Sequence, residues 1–94
     1  MLSIYVTYHV KPGMRDTFYQ GIQELGVRDC SMHEAGNLQY DYYFAAEDPD
    51  VLFLAERWTD PACQEAHTKT ETFAKLQALK ARCCTGTDLQ KFQA

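Results

Sequence analysis

Residues 2–11 alternate between apolar and polar positions, with Leu2, Ile4, Val6, Tyr8 and Val10 on one side and Ser3, Tyr5, Thr7, His9 and Lys11 on the other. A period of two predicts a half-buried strand, and Pro12-Gly13 stops it. From Met14 the period lengthens. Met14, Phe18, Ile22, Leu25 and Met32 recur at helical steps and predict an amphipathic helix. Gly21 and Gly26 weaken that helix by about 1 kcal/mol each relative to Ala, so its second half is expected to be irregular. Ala35-Gly36-Asn37 ends it, since Gly or Asn suits a left-handed C-terminal cap.

Two β-rich runs follow, 38–46 and 51–58, joined by the acidic turn Glu47-Asp48-Pro49-Asp50, and together they predict an antiparallel hairpin. Val51 to Ala55 is apolar on both faces, which implies a sheet covered on both sides. Asp60 before Pro61 has the chemistry of an N-cap and first helical residue, so a short helix is expected through His67. Thr68-Lys69-Thr70-Glu71 has capping-box spacing and restarts a helix over 71–83, whose buried side is Phe73, Leu76, Leu79 or Lys80, and Cys83. The tail from Thr85 to Phe92 reads as a last strand anchored by Leu89 and Phe92.

The predicted order is therefore β-α-β-β-α-β, an α+β fold of ferredoxin-like type: a four-stranded antiparallel sheet with its helices on one face. At 94 residues the chain is expected to form one domain over 1–94, too short for a doubly wound sheet with a second domain or for an eight-stranded α/β barrel. Six Tyr, five Phe and one Trp are more rings than one small core should need. A face-to-face homodimer through the open sheet face would cover the surplus.

Charge and cysteine usage narrow the function classes. Nine Lys and Arg are scattered against thirteen Asp and Glu, for a net charge of −4, so neither nucleic acid nor an anionic membrane surface is expected as a partner. The N-terminus lacks the pattern of a signal peptide, no run has the length of a membrane span, and a cytoplasmic location is expected. Cys30, Cys63, Cys83 and Cys84 form no C-x-x-C pair and are expected to be reduced and mostly buried. No metal site is expected, because His9, His33 and His67 lack ligand spacing. Phosphate-loop, dinucleotide and serine-hydrolase patterns are missing as well.

Several fragments carry a resemblance: Lys11-Pro12-Gly13 after strand one, Glu34-Ala35-Gly36-Asn37-Leu38-Gln39-Tyr40-Asp41, the strand end Glu56-Arg57-Trp58, and Glu65-Ala66-His67 before the second helix. In this order and spacing they resemble the antibiotic-biosynthesis monooxygenase family over nearly the whole chain. The resemblance implies a dimeric α/β barrel with a pocket between sheet and helices in each subunit. Family members include cofactor-independent monooxygenases of phenols and quinols, an isomerase-like enzyme of a phosphorylated autoinducer, and haem-degrading relatives. Two departures stand out. Thr72 precedes Phe73 where many relatives have a second His, which puts a two-histidine mechanism in doubt. Thr7 and Tyr8 stand near the place of the strand-one Asn of haem degraders, which argues against haem.

Oxidation by O₂ without a cofactor needs a base, a dry aromatic wall and a polar group. His67 is the base candidate, with a capping or surface role as its alternative. Trp58 is expected either to stack on a planar substrate or to fill core. Glu56 shares the Trp58 face and, if buried, must have a raised pKa or a partner such as Arg57 of a facing subunit or a nearby Lys. Tyr40 and Tyr42 share one face, and Asp41 and Tyr43 the other. The hairpin register decides which pair lines the pocket, with Tyr40 and Tyr42 taken as substrate-binding. Asn37 is a candidate to orient the ligand, or else a backbone cap. The ligand expected is small, aromatic or quinol-like, with no cofactor. An isomerase would instead need Arg28, Arg57 or Lys69 pointing inward. A non-catalytic ligand-binding dimer is the third alternative.

Overall fold

A computed structural model describes all 94 residues. The alternation in the first segment becomes β1 (Leu2–Val10), whose even-numbered side chains are all buried. The first helical pattern becomes two helices, α1 (Arg15–Leu25) and α2 (Val27–Met32), divided at Gly26. Gly26 adopts φ 67°, and its N–H closes α1 on the carbonyls of Ile22 and Gln23, so the predicted irregularity is a left-handed break. Then come β2 (Asn37–Phe44), β3 (Val51–Trp58), α3 (Pro61–His67), α4 (Glu71–Cys83) and β4 (Cys84–Gln93). All pairings are antiparallel and the strand order is β2-β3-β1-β4, the ferredoxin-like order.

Register settles which face each side chain takes. Leu2 stands opposite Trp58, Ile4 opposite Glu56, Val6 opposite Leu54 and Tyr8 opposite Leu52. On the other side of β3, Tyr40 pairs with Glu56, Tyr42 with Leu54 and Phe44 with Leu52. Apart from Glu56 and the exposed Phe44, these rows pack with Phe18, Ile22 and Val27 of the first helical pair and Leu76, Leu79 and Cys83 of α4 in one core. Tyr40 and Tyr42 therefore face the helices, while Asp41 and Tyr43 lie on the open face.

Local chemistry explains the ends. The Asp60 carboxylate accepts the Cys63 N–H at 2.9 Å, and Pro61 opens α3 as predicted. The cap of α4 is Thr70, whose hydroxyl accepts the Phe73 N–H at 3.1 Å; the Thr68–Glu71 capping box does not form. Thr68 instead donates its hydroxyl proton back to the Glu65 carbonyl, because it still belongs to the last turn of α3. Three further expectations are corrected. Met32 is exposed, and its place in the core is taken by Val27 and Ser31 because the break at Gly26 rotates the second helix. Leu89 and Phe92 are 52% and 53% exposed rather than anchored, since β4 is an edge strand that the helices hardly cover. Of the cysteines only Cys83 is buried; Cys63 and Cys84 are half-buried and Cys30 is exposed.

The open face carries a row of rings across all four strands. Tyr43 lies 6.2 Å from Phe53, Phe53 lies 5.8 Å from Tyr5, and Tyr5 lies 5.7 Å from Phe92, measured between centroids. Ala55 on the same face is buried beneath them.

Candidate functional site

His67 is the last residue of α3, and its ring points under the helical layer. Nδ1 lies 2.6 Å from Oε1 of Glu34, in the segment between α2 and β2. A carboxylate oxygen only accepts, so this contact puts the ring proton on Nδ1 and leaves Nε2 as the free acceptor. The ring's one hydrogen bond within the chain is through Nδ1, and Nε2 makes none. Three rings surround the imidazole: Trp58 at 5.0 Å, Phe73 at 5.3 Å and Tyr40 at 5.6 Å between centroids.

A close chain crossing brings Glu34 within reach. Gly36 has φ 80°, and a Cβ there would lie 2.5 Å from Cys63 Sγ and 2.7 Å from Thr59 Oγ1. Only glycine fits both the backbone angle and the space. The Gly36 carbonyl also accepts the Thr59 N–H at 2.8 Å, which fixes the segment to the start of α3.

Glu56 lies on the same sheet face and accepts the Trp58 indole N–H at 3.1 Å. Burial pushes its carboxyl above the ordinary carboxylate value, while the Trp58 N–H and the neighbouring His67 and Lys91 pull the other way. Tyr8, Tyr40 and Tyr42 cluster with it, and burial raises all three phenols, Glu56 adding to each rise. The Tyr42 hydroxyl is shielded from solvent, with the Tyr40 phenol as its polar neighbour.

His67, Glu56, Trp58, Tyr40 and Tyr42 thus come together. Asn37 does not join them: its Nδ2 donates to the Gln39 carbonyl at 3.1 Å and the Arg57 carbonyl at 3.5 Å, stitching the irregularity where β2 begins. Within the chain the partner of Glu56 is the Trp58 indole rather than a neighbouring Lys. Arg28 donates to the Tyr40 carbonyl and the Asp41 carboxylate, Lys69 pairs with Glu65 on the surface, and Arg57 lies exposed on the open face. His9 and His33 are surface residues beside Asp88 and Asp29.

Glu34, Phe73 and Tyr8 were not foreseen as parts of this cluster. The spacing of Glu34 from His67, 33 residues, carries no periodic signal. Phe73 was assigned only to the buried side of its helix, and Tyr8 only to its strand face.

The interior around His67 is packed: Trp58 is 0%, Tyr40 1%, His67 4% and Glu56 6% exposed. The larger clefts lie outside it. One of about 320 Å³ opens between the α1–α2 break and β2, lined by Tyr19, Ile22, Val27, Arg28 and Tyr42 among others. No three His, Cys, Asp or Glu side chains gather as metal ligands, and no helix is long and apolar enough to cross a membrane.

Comparison with known proteins agrees with this architecture. A protein of Pseudomonas aeruginosa is 25% identical, with 99% of this chain and 92% of that one aligned at a TM-score of 0.88. A structure described as an antibiotic biosynthesis monooxygenase is 25% identical over 100% of this chain and 98% of its own, with a TM-score of 0.88. A Bacteroides thetaiotaomicron protein of unknown function, described as a possible oxidoreductase, is 26% identical over 97% and 94% at 0.85. No functionally curated protein matches. The family model of antibiotic biosynthesis monooxygenases matches residues 1–79, and the chain belongs to that family.

Proposed function

We propose that the protein is a cofactor-independent monooxygenase that oxidises a small phenol or quinol with O₂. The observation that carries this reading is the His67–Glu34 pair, a histidine with Nδ1 held by a carboxylate and Nε2 unpaired, enclosed by three rings. Nε2 takes the phenolic proton, and the phenolate ring becomes electron-rich enough to reduce O₂. The ring carbon bonds to oxygen as a peroxide, whose O–O bond then breaks. One oxygen stays as the new quinone carbonyl and the other leaves as water. For a simple phenol the balance is phenol plus O₂ to quinone plus water, with all four electrons supplied by the substrate. Glu56, biased towards its protonated form by burial, supplies a proton to the leaving oxygen. Trp58 and Tyr40 are the aromatic walls, with Tyr42 beside Tyr40.

The working unit is a homodimer closed over the open sheet face, where Tyr5, Tyr43 and Phe92 are exposed rings on one row. Light scattering at micromolar concentration should give twice the chain mass, and a monomer would overturn the dimer.

Oxygen uptake with a panel of quinols in metal-free buffer tests the chemistry. The wild type should consume oxygen and His67→Ala should be slower by about 100-fold or more. No uptake by the wild type, or equal uptake by His67→Ala, removes the reading. One observation favours a second reading, a non-catalytic dimer: the interior around His67 is closed. That protein would consume no oxygen with any substrate. The isomerase alternative would rest on Arg28 alone, which lines the cleft beside the α1–α2 break, since Arg57 and Lys69 lie on the surface.

A further inference from the structure

Three rings wall the His67 imidazole, and they are not held alike. Trp58 and Tyr40 stand on β3 and β2, 0% and 1% exposed, and both belong to the core cluster. The Trp58 N–H is further pinned by Glu56. Phe73 is half-buried and stands outside that cluster. The one ring it meets is the imidazole, at 5.3 Å and 77°.

The backbone beneath Phe73 is fixed. The Thr70 hydroxyl accepts the Phe73 N–H at 3.1 Å and donates to the His67 carbonyl at 3.0 Å, so one side chain ties the end of α3 to the first turn of α4. Thr72, next to Phe73, touches Cys30 at 3.4 Å and joins that turn to α2. The part free to move is the Phe73 ring, by rotation about its own side-chain bonds. A side chain in contact with water changes rotamer quickly and leaves the core intact, whereas moving Trp58 or Tyr40 would empty a place in the core. A ring that enters where Phe73 stands meets the imidazole directly, with no other side chain between them.

We infer that Phe73 is the gate of the His67 site: its ring turns outward to admit a one-ring phenol to the imidazole, and its bulk limits which rings pass. The ligand's identity rests on the phenol-oxidising reading, whereas the gate stands on the packing of Phe73. A gate of this kind also reconciles a closed interior with a base that must receive a substrate.

Diethyl pyrocarbonate, which acylates neutral imidazole nitrogens, reports access to the base, and peptide mass spectrometry follows His9, His33 and His67 separately. His9 and His33 lie on the surface and should react first. Phe73→Ala should speed modification of His67 by about tenfold or more and leave the other two unchanged. Phe73→Leu, the milder change, should fall between this variant and the wild type. Leu76→Ala is the control, because it loosens the same helix in the core without touching the gate. An unchanged His67 rate in both Phe73 variants, or an equal gain in Leu76→Ala, overturns the proposal.

Binding gives the second measurement, with 4-methylphenol as the probe. Its titration should move the His67 ring-proton NMR signal, identified by its loss in His67→Ala, before those of His9 and His33. Phe73→Ala removes the closed state and should bind the probe about fivefold or more tighter. Equal or weaker binding, or no movement of the His67 signal at millimolar probe in either protein, counts against the gate. Neither measurement involves oxygen. A gate that behaves as expected with no oxygen uptake would stand while the monooxygenase reading falls; uptake with a His67 rate indifferent to Phe73 would do the reverse.

Discussion

Nδ1 of His67 and Oε1 of Glu34 lie 2.6 Å apart although 33 residues separate them, and the contact joins the end of α3 to the loop before β2. The carboxylate selects the tautomer and orients the ring, while Trp58 and Phe73 hold it from the sides. Glu34→Gln keeps the shape but presents a neutral group that no longer favours the imidazolium formed after proton transfer. The expected result is oxygen uptake with kcat reduced about tenfold and KM nearly unchanged, against the larger loss in His67→Ala. Equal KM and kcat effects would mean that Glu34 only supports the fold.

The buried carboxyl of Glu56 gives a pH prediction with a definite sign. Burial raises its folded pKa above the unfolded value of about 4.3, despite the opposing Trp58 N–H. Such a group binds its proton more tightly in the folded state. Its contribution to stability is complete below the unfolded pKa and is lost as pH rises through the folded one. Glu56→Gln keeps an oxygen for the indole N–H and cannot ionise. Urea unfolding from about pH 4 to about pH 8 should therefore show the variant gaining on the wild type as pH rises, with the change beginning near the unfolded value of about 4.3 and levelling off above the raised folded one. A difference that stays flat would mean that Glu56 ionises as easily in the folded chain as in the unfolded one.

The elements were legible in the sequence because each rests on local physics. The alternation of β1, the apolar run of β3 and the Asp60-Pro61 start of α3 state their structure within a few residues. Half of the site was legible too: Glu56, Trp58, Tyr40 and Tyr42 belong to two strands, and strand periodicity puts each pair on one face. What periodicity does not state is register, and that is what brought Tyr40 opposite Glu56 and sent Tyr43 to the open face. Glu34 was out of reach because its partner is set by a chain crossing at Gly36, not by spacing. Asn37 admits a ligand contact or a backbone role from sequence, and the backbone role it takes has partners, the Gln39 and Arg57 carbonyls, that are visible only once β2 and β3 are paired. Leu89 and Phe92 are apolar without being buried because β4 is at the edge of the sheet in a single chain.

Gly36 is expected to be the least tolerant glycine. Its φ of 80° disfavours any side chain, and the added Cβ would meet both Sγ and Cβ of Cys63 within 2.8 Å. Gly36→Ala should lower unfolding free energy by about 2–4 kcal/mol, combining left-handed backbone strain with overpacking. Gly13→Ala is a suitable comparison, since its φ is 76° but nothing lies within 4 Å of the new Cβ; it should lose only the backbone share, about 1–2 kcal/mol. Equal losses in chemical denaturation would show that the crossing at Cys63 is looser than the geometry indicates.

Thiol chemistry offers a final check, because the four cysteines differ in access and one touches the site. Cys30 is exposed, Cys63 is half-buried beside Thr59, and Cys83 is buried. The Cys84 thiol is pushed up to about 11, first by burial and then by the neighbouring Cys83, so little of it is thiolate near neutral pH. Iodoacetamide at about pH 7.5 should modify Cys30 first and leave Cys83 and Cys84 until the chain unfolds, as peptide mass spectrometry would record. Cys30 Sγ lies 3.9 Å from Oε2 of Glu34, the carboxylate that holds His67, and 3.4 Å from Thr72 Oγ1. A carbamidomethyl group attached there has to displace one of these neighbours. Oxygen uptake should therefore decline in step with Cys30 modification, and Cys30→Ser should retain its activity through the same treatment. Activity that survives complete modification of Cys30 would show that Glu34 holds the imidazole whatever stands at its second oxygen.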